Sequence, residues 1–283
     1  MFAKRKKALI VGCGYVGLSL AKLLQGENWI VHGIKRSSSP GKKIRHLKID
    51  VAKPFSLTES YDVVFYMVSA GSFSEDAYES AYSLGVTNTL QALLQHKQKS
   101  LFIFVSSTSL YAQNNGEWVT EQSAISLEGF ARKTLFAGEE LVRNSDLPFS
   151  IVRFGGIYGS GRDHLITQIK EGKAFLKDKS HFTNRIHQED CAKLLGHIAN
   201  LAHRKELYIG VDNDPADYNE VLRYITSILG ADETKLRIEA GSGSRHRANK
   251  RCSNALIQSS GYEFIYPSYR EGYASLIGPI LQS

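Results

Sequence analysis

The chain has 283 residues, 42% hydrophobic and 22% charged, the make-up of an ordinary globular protein able to bury about three quarters of its extended-chain surface. The formal net charge of +7 owes part of its excess to Lys4-Arg5-Lys6-Lys7 and part to the segment from Arg245 to Arg251, and neither stretch resembles a nucleic-acid-binding module. Three scattered cysteines (Cys13, Cys191, Cys252), no metal-ligand spacing and no long apolar span lead to the expectation of a reduced, cytoplasmic protein with no metal, membrane or nucleic-acid partner.

Ala8 to Val11 form an apolar run suited to a strand buried on both faces. Gly12, Gly14 and Gly17 follow at G-x-G-x-x-G spacing and open a helix whose apolar face is Val16, Leu20, Leu23 and Leu24. In that context the pattern predicts a dinucleotide turn. Gly12 allows the tight bend, Gly14 lets the backbone approach a pyrophosphate, and Gly17 lets the helix pack on the strand. The helix tip at Tyr15 and Val16 presents N–H groups to the anion.

Trp29 to Ile34 read as the second strand. At its end, where an NAD site places a carboxylate for the ribose 2′-OH, stand Lys35, Arg36 and Ser37. Arg36 suits a 2′-phosphate through its planar fork, and one charge-assisted bond of about 1.5–3 kcal/mol gives roughly a 10- to 100-fold preference. The expectation is NADP(H), with NAD(H) as the alternative. A solvated loop is the plainer reading of the same residues.

Further strands are expected at Lys48 to Val51, Asp62 to Val68, Leu101 to Val105, Phe149 to Phe154 and Leu207 to Val211. Between them lie helices carrying Tyr78, Tyr82, Val86, Leu90 and Leu93, then Arg132 to Val142, then Asp190 to Ala202. This alternation predicts an α/β protein with a doubly wound parallel sheet, whose ligands bind beyond the strand C-termini. The glycine- and arginine-rich segment from Gly241 to Arg251 is a candidate loop over the site, or an ordinary exposed connection.

The glycine turn, FVSSTSLY (Phe104 to Tyr111), RFGGIYGSGR (Arg153 to Arg162) and RIHQEDCA (Arg185 to Ala192) resemble, in this order, the extended short-chain dehydrogenase/reductases. NKRCSN (Asn249 to Asn254) and YPSYREGY (Tyr266 to Tyr273) are similar to an atypical bacterial branch of NAD(P)-dependent epimerase/dehydratase-like proteins. The resemblance implies a Rossmann-type sheet with a smaller C-terminal substrate lobe. The cofactor domain would cover 1–158, with 187–211 supplying its last helix and strand, and 159–283 would form mainly the substrate lobe.

The resemblance also implies roles. Gly12, Gly14 and Gly17 would hold the pyrophosphate, Arg36 the 2′-phosphate, and Asp50 with Val51 the adenine. Ser69 and Ala70 would lie along the ribose and nicotinamide side, and Ser106 would also contact the cofactor. Ser107 matches the catalytic Ser/Thr, with Ser106, Thr108 and Ser109 as substitutes because four hydroxyls in a row blur the alignment. Thr108 also counts toward the substrate. A family homodimer is expected by analogy.

One departure stands out. The family's Tyr-x-x-x-Lys falls on Phe130 to Thr134, FARKT, so a side chain without a hydroxyl replaces tyrosine and an uncharged one replaces lysine. Lys133 is turned by about 100° from the lysine position. Losing a positioned acid/base costs about 10²- to 10⁴-fold. Tyr111 and Tyr158 are the candidate replacement acids, whereas His187, Asp190 and Glu121 read better as structural. Tyr82 or a neighbour stands where the family often has an asparagine.

In the second lobe, Arg162, Arg245, Arg247, Lys250 and Arg251 either converge on an anionic small-molecule substrate such as a nucleotide diphosphate or form a basic surface. Tyr266, Tyr269 and Tyr273 are expected to pack the C-terminal segment. Two function classes follow: an NADP(H)-dependent oxidoreductase or epimerase/dehydratase on a phosphorylated or nucleotide-linked sugar, and a catalytically weak NADP(H)-binding sensor or partner-binding protein.

Overall fold

Ala8 to Val11 are fully buried, as a run apolar on both faces requires. In the computed structural model, which describes residues 5–36, 44–96, 99–238 and 249–281, they lie in β1 (Lys7–Val11). This strand runs parallel to β2 (Ile30–Lys35) on one side and β4 (Val63–Tyr66) on the other, with Ala8 opposite Val31 and Val63. β3 (Arg45–Lys48) extends the sheet beyond β2, and β5 (Leu101–Ser107) extends it beyond β4, both in parallel. The seven-stranded order is Leu207–Gly210, Phe149–Phe154, β5, β4, β1, β2, β3. The order reverses between β1 and β4, the switch point at which doubly wound sheets open a crevice. The expected Rossmann-type sheet is present.

Helices supply the crossovers that parallel neighbours need. α1 (Tyr15–Gly26) joins β1 to β2. Between β4 and β5, α2 (Glu75–Tyr78) runs through a π-helical segment (Glu79–Leu84) into α3 (Gly85–Leu94). α4 (Phe130–Arg143) precedes the strand Phe149–Phe154, and the helix Gln188–Asn200 precedes Leu207–Gly210. The π-helical turn has a visible cause. The Tyr66 hydroxyl donates to the Ala81 carbonyl and lies where a side chain on Gly85 would stand, so only glycine fits.

Some boundaries differ from the sequence reading. The third strand is Arg45–Lys48, not Lys48 to Val51, because Asp50 accepts the Ala52 amide at 3.2 Å in a turn that ends extended pairing. α4 begins two residues earlier than expected, at Phe130, and the last helix spans Gln188–Asn200.

The contacts divide the chain into two units. The first holds residues 1–110, 126–153 and 192–208, and the second holds 111–125, 154–191 and 209–283. Residues 111–125 and 154–158, expected with the sheet, thus cluster with the second unit, and the boundary crosses the helix Gln188–Asn200. The second unit contains short two-stranded pairs and a helical core. The helices His164–Lys170, Tyr218–Ile228 and Tyr269–Leu281 bring together Ile166, Val221, Leu222, Ile225, Tyr269 and Tyr273. Tyr269 and Tyr273 pack the C-terminal segment as expected.

Candidate dinucleotide site

The turn after β1 is tied to β2: the Gly12 and Cys13 amides both donate to the Ile34 carbonyl at 3.1 Å. Gly12 has φ +86°, and a Cβ there would lie 2.7 Å from the Val68 nitrogen, so the bend excludes any side chain. By contrast, a Cβ on Gly14 would meet nothing nearer than 3.9 Å. α1 opens directly on Gly14 with no side-chain cap and no acidic residue in its first turn. The first amides of a helix have no partners within the helix, and its N-terminal end carries the positive pole of the dipole. Tyr15, Val16 and Gly17 form that first turn, Val16 and Gly17 being buried against the sheet. This is a cradle for a phosphate-like anion, and the residues fit a dinucleotide. Cys13 is fully buried, and burial pushes its thiol up.

At the end of β2, Lys35 is half-buried and Arg36 is exposed. The Arg36 Nη2 lies 3.8 Å from where a Gly71 side chain would begin, so the guanidinium adjoins the segment after β4. Ser37 and Arg247, both expected at the site, lie outside the described residues, as does Arg245. Asp50 is exposed in its turn, while Val51 is buried and its carbonyl accepts Asn88 Nδ2 at 2.8 Å. Ser69 is exposed after β4. The backbone amide of Ala70 donates to the Tyr82 hydroxyl, whose pKa burial raises.

The serine run resolves into distinct roles. The Ser106 hydroxyl donates inward to Glu139 Oε1 at 2.6 Å, so its side chain faces the core, contrary to its expected place beside the cofactor. Strand alternation explains this: inward-facing Ser106 leaves Ser107 on the opposite side. Ser107 is half-buried, and its oxygen accepts the Ser109 amide at 3.1 Å, which leaves the O–H to donate. Thr108 is buried at the start of a single 3₁₀ turn, Thr108–Leu110. Arg132 on α4 holds that turn by donating from Nε to the Ser109 carbonyl at 2.9 Å.

Phe130 is the first residue of α4, with Thr134 one turn on and Lys133 exposed. The Phe130 ring meets Phe73 at 4.9 Å and Tyr78 at 5.4 Å, and Tyr78 meets Tyr82 at 5.4 Å.

Both replacement acids are corrected. Tyr111 is fully buried in a cluster with Val119, Ile209, Val211 and Cys252. Tyr158 is 5% exposed, stacks on Tyr273 at 4.6 Å and fits against Gly272 of the C-terminal helix. Burial and the nearby Asp212 push its hydroxyl far above the range of a working acid. His187, edge-on to Tyr158, is held neutral by burial and accepts the Glu189 amide at Nδ1, the structural role expected. Asp190 accepts the Ile265 and Tyr266 amides, and Glu121 accepts the Ile209 amide, also as read.

Two of the expected substrate cations are structural. Lys250 is 2% exposed and donates to the Tyr111 carbonyl at 3.2 Å. Arg251 lies over Phe182 at 4.6 Å and Trp118 at 5.3 Å and donates to the Gly116 carbonyl. Lysine and arginine stems cover apolar surface readily, and here the aromatic faces and carbonyls take the charge. Arg162 is exposed in a turn with Gly159.

Sequence reasoning missed Glu139 and Arg153. A charged residue inside the apolar strand FSIVRF was the available signal, since a buried charge needs a partner. Among the described residues no group of His, Cys, Asp and Glu is arranged to hold a metal, and no helix is long and apolar enough to cross a membrane.

The sheet order and the glycine turn define a Rossmann-type α/β protein of the nicotinamide-dinucleotide class. The chain belongs to the NAD dependent epimerase/dehydratase family, whose model matches residues 8–210. It is similar to Protein YeeZ of Escherichia coli (strain K12), 25% identical over 280 residues that cover 93% of this chain and 97% of that one. Among solved structures it resembles a Methylobacillus flagellatus protein described under NAD-dependent epimerase/dehydratase, at 32% identity and TM-score 0.83, covering 98% of this chain and all of the other (100%). Two more distant structures share the fold. MoeE5 in complex with UDP-glucose and NAD is 20% identical, with TM-score 0.81 and coverage of 98% and 99%. Human epimerase family protein SDR39U1 with NADPH is 17% identical, with TM-score 0.78 and coverage of 96% and 99%.

Proposed function

We propose that the first unit binds NADP(H) and that the protein is an oxidoreductase or epimerase/dehydratase acting on a phosphorylated or nucleotide-linked sugar, without a Tyr-x-x-x-Lys pair. The observation that carries this is the side-chain-free turn at Gly12 opening on the uncapped tip of α1, with Arg36 exposed at the end of β2. The bound nicotinamide supplies the hydride donor or acceptor. The chain's own residues bind and orient. The α1 tip holds the pyrophosphate, Arg36 binds the 2′-phosphate, Val51 flanks the adenine, and Ser107 donates its O–H toward the substrate's reacting oxygen. The nucleotide sugar bound to MoeE5 and the NADPH bound to SDR39U1 support the substrate and cofactor classes. Three buried, free cysteines fit a reducing cytoplasm. A homodimer remains part of the proposal by analogy.

A second reading, a catalytically weak NADP(H)-binding sensor, is favoured by Phe130 and Thr134 at the head of α4. Calorimetry with NADPH and NADH, followed by stopped-flow nicotinamide fluorescence with a panel of nucleotide sugars, separates the two. Cofactor binding with hydride transfer to one sugar supports the enzyme. Binding with no transfer to any of them selects the sensor, and no binding at all rejects both.

A further inference from the structure

Phe73, in the segment after β4, is 78% exposed, a large apolar ring left in water. It is not isolated. Its ring meets Phe130 at 4.9 Å with a 53° tilt and Tyr78 at 5.9 Å edge to face, and Tyr78 meets Tyr82 at 5.4 Å. Four aromatic side chains from the segment after β4, from α2, from the π-helical turn and from the head of α4 therefore form one partly exposed surface.

The topology says which half of a dinucleotide this surface faces. The sheet order reverses between β1 and β4, and a dinucleotide lies across that crevice with its pyrophosphate at the tip of α1. Arg36 at the end of β2 marks the adenosine side, so the other half extends over the C-terminal ends of β4 and β5. The segment after β4 spans both halves, adjoining Arg36 at Gly71 and Phe130 at Phe73. Its Val68 nitrogen touches the Gly12 turn, its Ala70 amide binds Tyr82, and Phe73 closes it on Phe130. The π-helical segment carrying Tyr82, held by the Tyr66 hydroxyl on the Ala81 carbonyl, is a second mark, since such turns recur at functional sites.

Resting on the dinucleotide reading above, we infer that Phe73, Phe130 and Tyr78 form a stacking platform for the nicotinamide ring. Phenylalanine at the head of α4 then grips the cofactor by its face, where a tyrosine would have offered a hydroxyl. Planar rings favour offset or edge-to-face contact with such surfaces.

The test uses Phe73→Ala, whose exposed ring makes it safe for folding, and Phe73→Trp, which keeps an aromatic face. Calorimetry measures NADPH, adenosine 2′,5′-bisphosphate (the half without nicotinamide) and UDP on each protein. The expected result is NADPH binding about tenfold weaker in Phe73→Ala, restored in Phe73→Trp, with the bisphosphate unchanged. Unchanged NADPH affinity in Phe73→Ala, with both nucleotides still bound, overturns the platform and leaves the dinucleotide site standing. Loss of UDP with NADPH unchanged assigns the surface to another ring and also overturns it. Wild-type protein that binds neither NADPH nor the bisphosphate removes the dinucleotide site and the platform together.

Discussion

Glu139 and Arg153 face each other inside the first unit. Arg153 donates from Nε to Oε1 at 2.9 Å and from Nη2 to Oε2 at 2.7 Å, with the two side chains 0% and 3% exposed. Ser106 adds a third bond to the same carboxylate. The pair thus ties α4 to the strand Phe149–Phe154 and to the exit of β5, next to Ser107.

Removing one partner strands a buried charge. Glu139→Ala is expected to cost about 3–5 kcal/mol, and the double variant Glu139→Leu/Arg153→Leu distinctly less, because a missing pair leaves no unpaired ion. Urea denaturation checks both. A single-variant loss below about 1 kcal/mol would show that water solvates the pair.

Arg36→Ala tests cofactor preference. The NADPH-to-NADH affinity ratio is expected to fall about 10- to 100-fold, with NADH little changed, since only the 2′-phosphate loses its charge-assisted bond. A ratio that does not move assigns Arg36 to the solvent.

Asp212 is expected to make the second unit sensitive to pH. Burial pushes its carboxyl well above the usual carboxylate range, against the pull of Arg185. A group raised on folding contributes stability that is whole below its unfolded value, about 3.9, and is lost as pH rises through the folded one. Asp212→Asn keeps the Oδ1 that accepts the Asp214 amide and abolishes the titration. The variant's melting temperature is expected to gain on wild type as pH rises from about 4 to about 8. A gap that stays constant across that range contradicts the assignment.

Arg251→Ala removes a cation from two aromatic faces and a bond to the Gly116 carbonyl. A loss of about 1–2 kcal/mol in urea follows, with a change in the emission of Trp118. Affinity for an anionic sugar nucleotide is expected to stay the same. A fall in that affinity with stability intact would return Arg251 to the substrate.

Local pattern alone determined the alternating sheet and the glycine turn. An apolar run, a G-x-G-x-x-G step and a 3.6-residue apolar period each constrain residues that are neighbours in the chain, so they are legible in order along it. β3 is not legible in this way because it is a short edge strand, partly exposed, with little apolar signal to set its register. Only the tertiary structure decided which side chains are withdrawn from chemistry. Tyr158 is buried by a helix over a hundred residues later, Lys250 reaches Tyr111 across 139 positions, and Ser106 meets Glu139 across 33. The same holds for the ring of Phe130, which meets Phe73 and Tyr78 from far along the chain. Desolvation and hydrogen bonding act through space over a few ångströms, and linear spacing carries no record of which distant segments will close that gap.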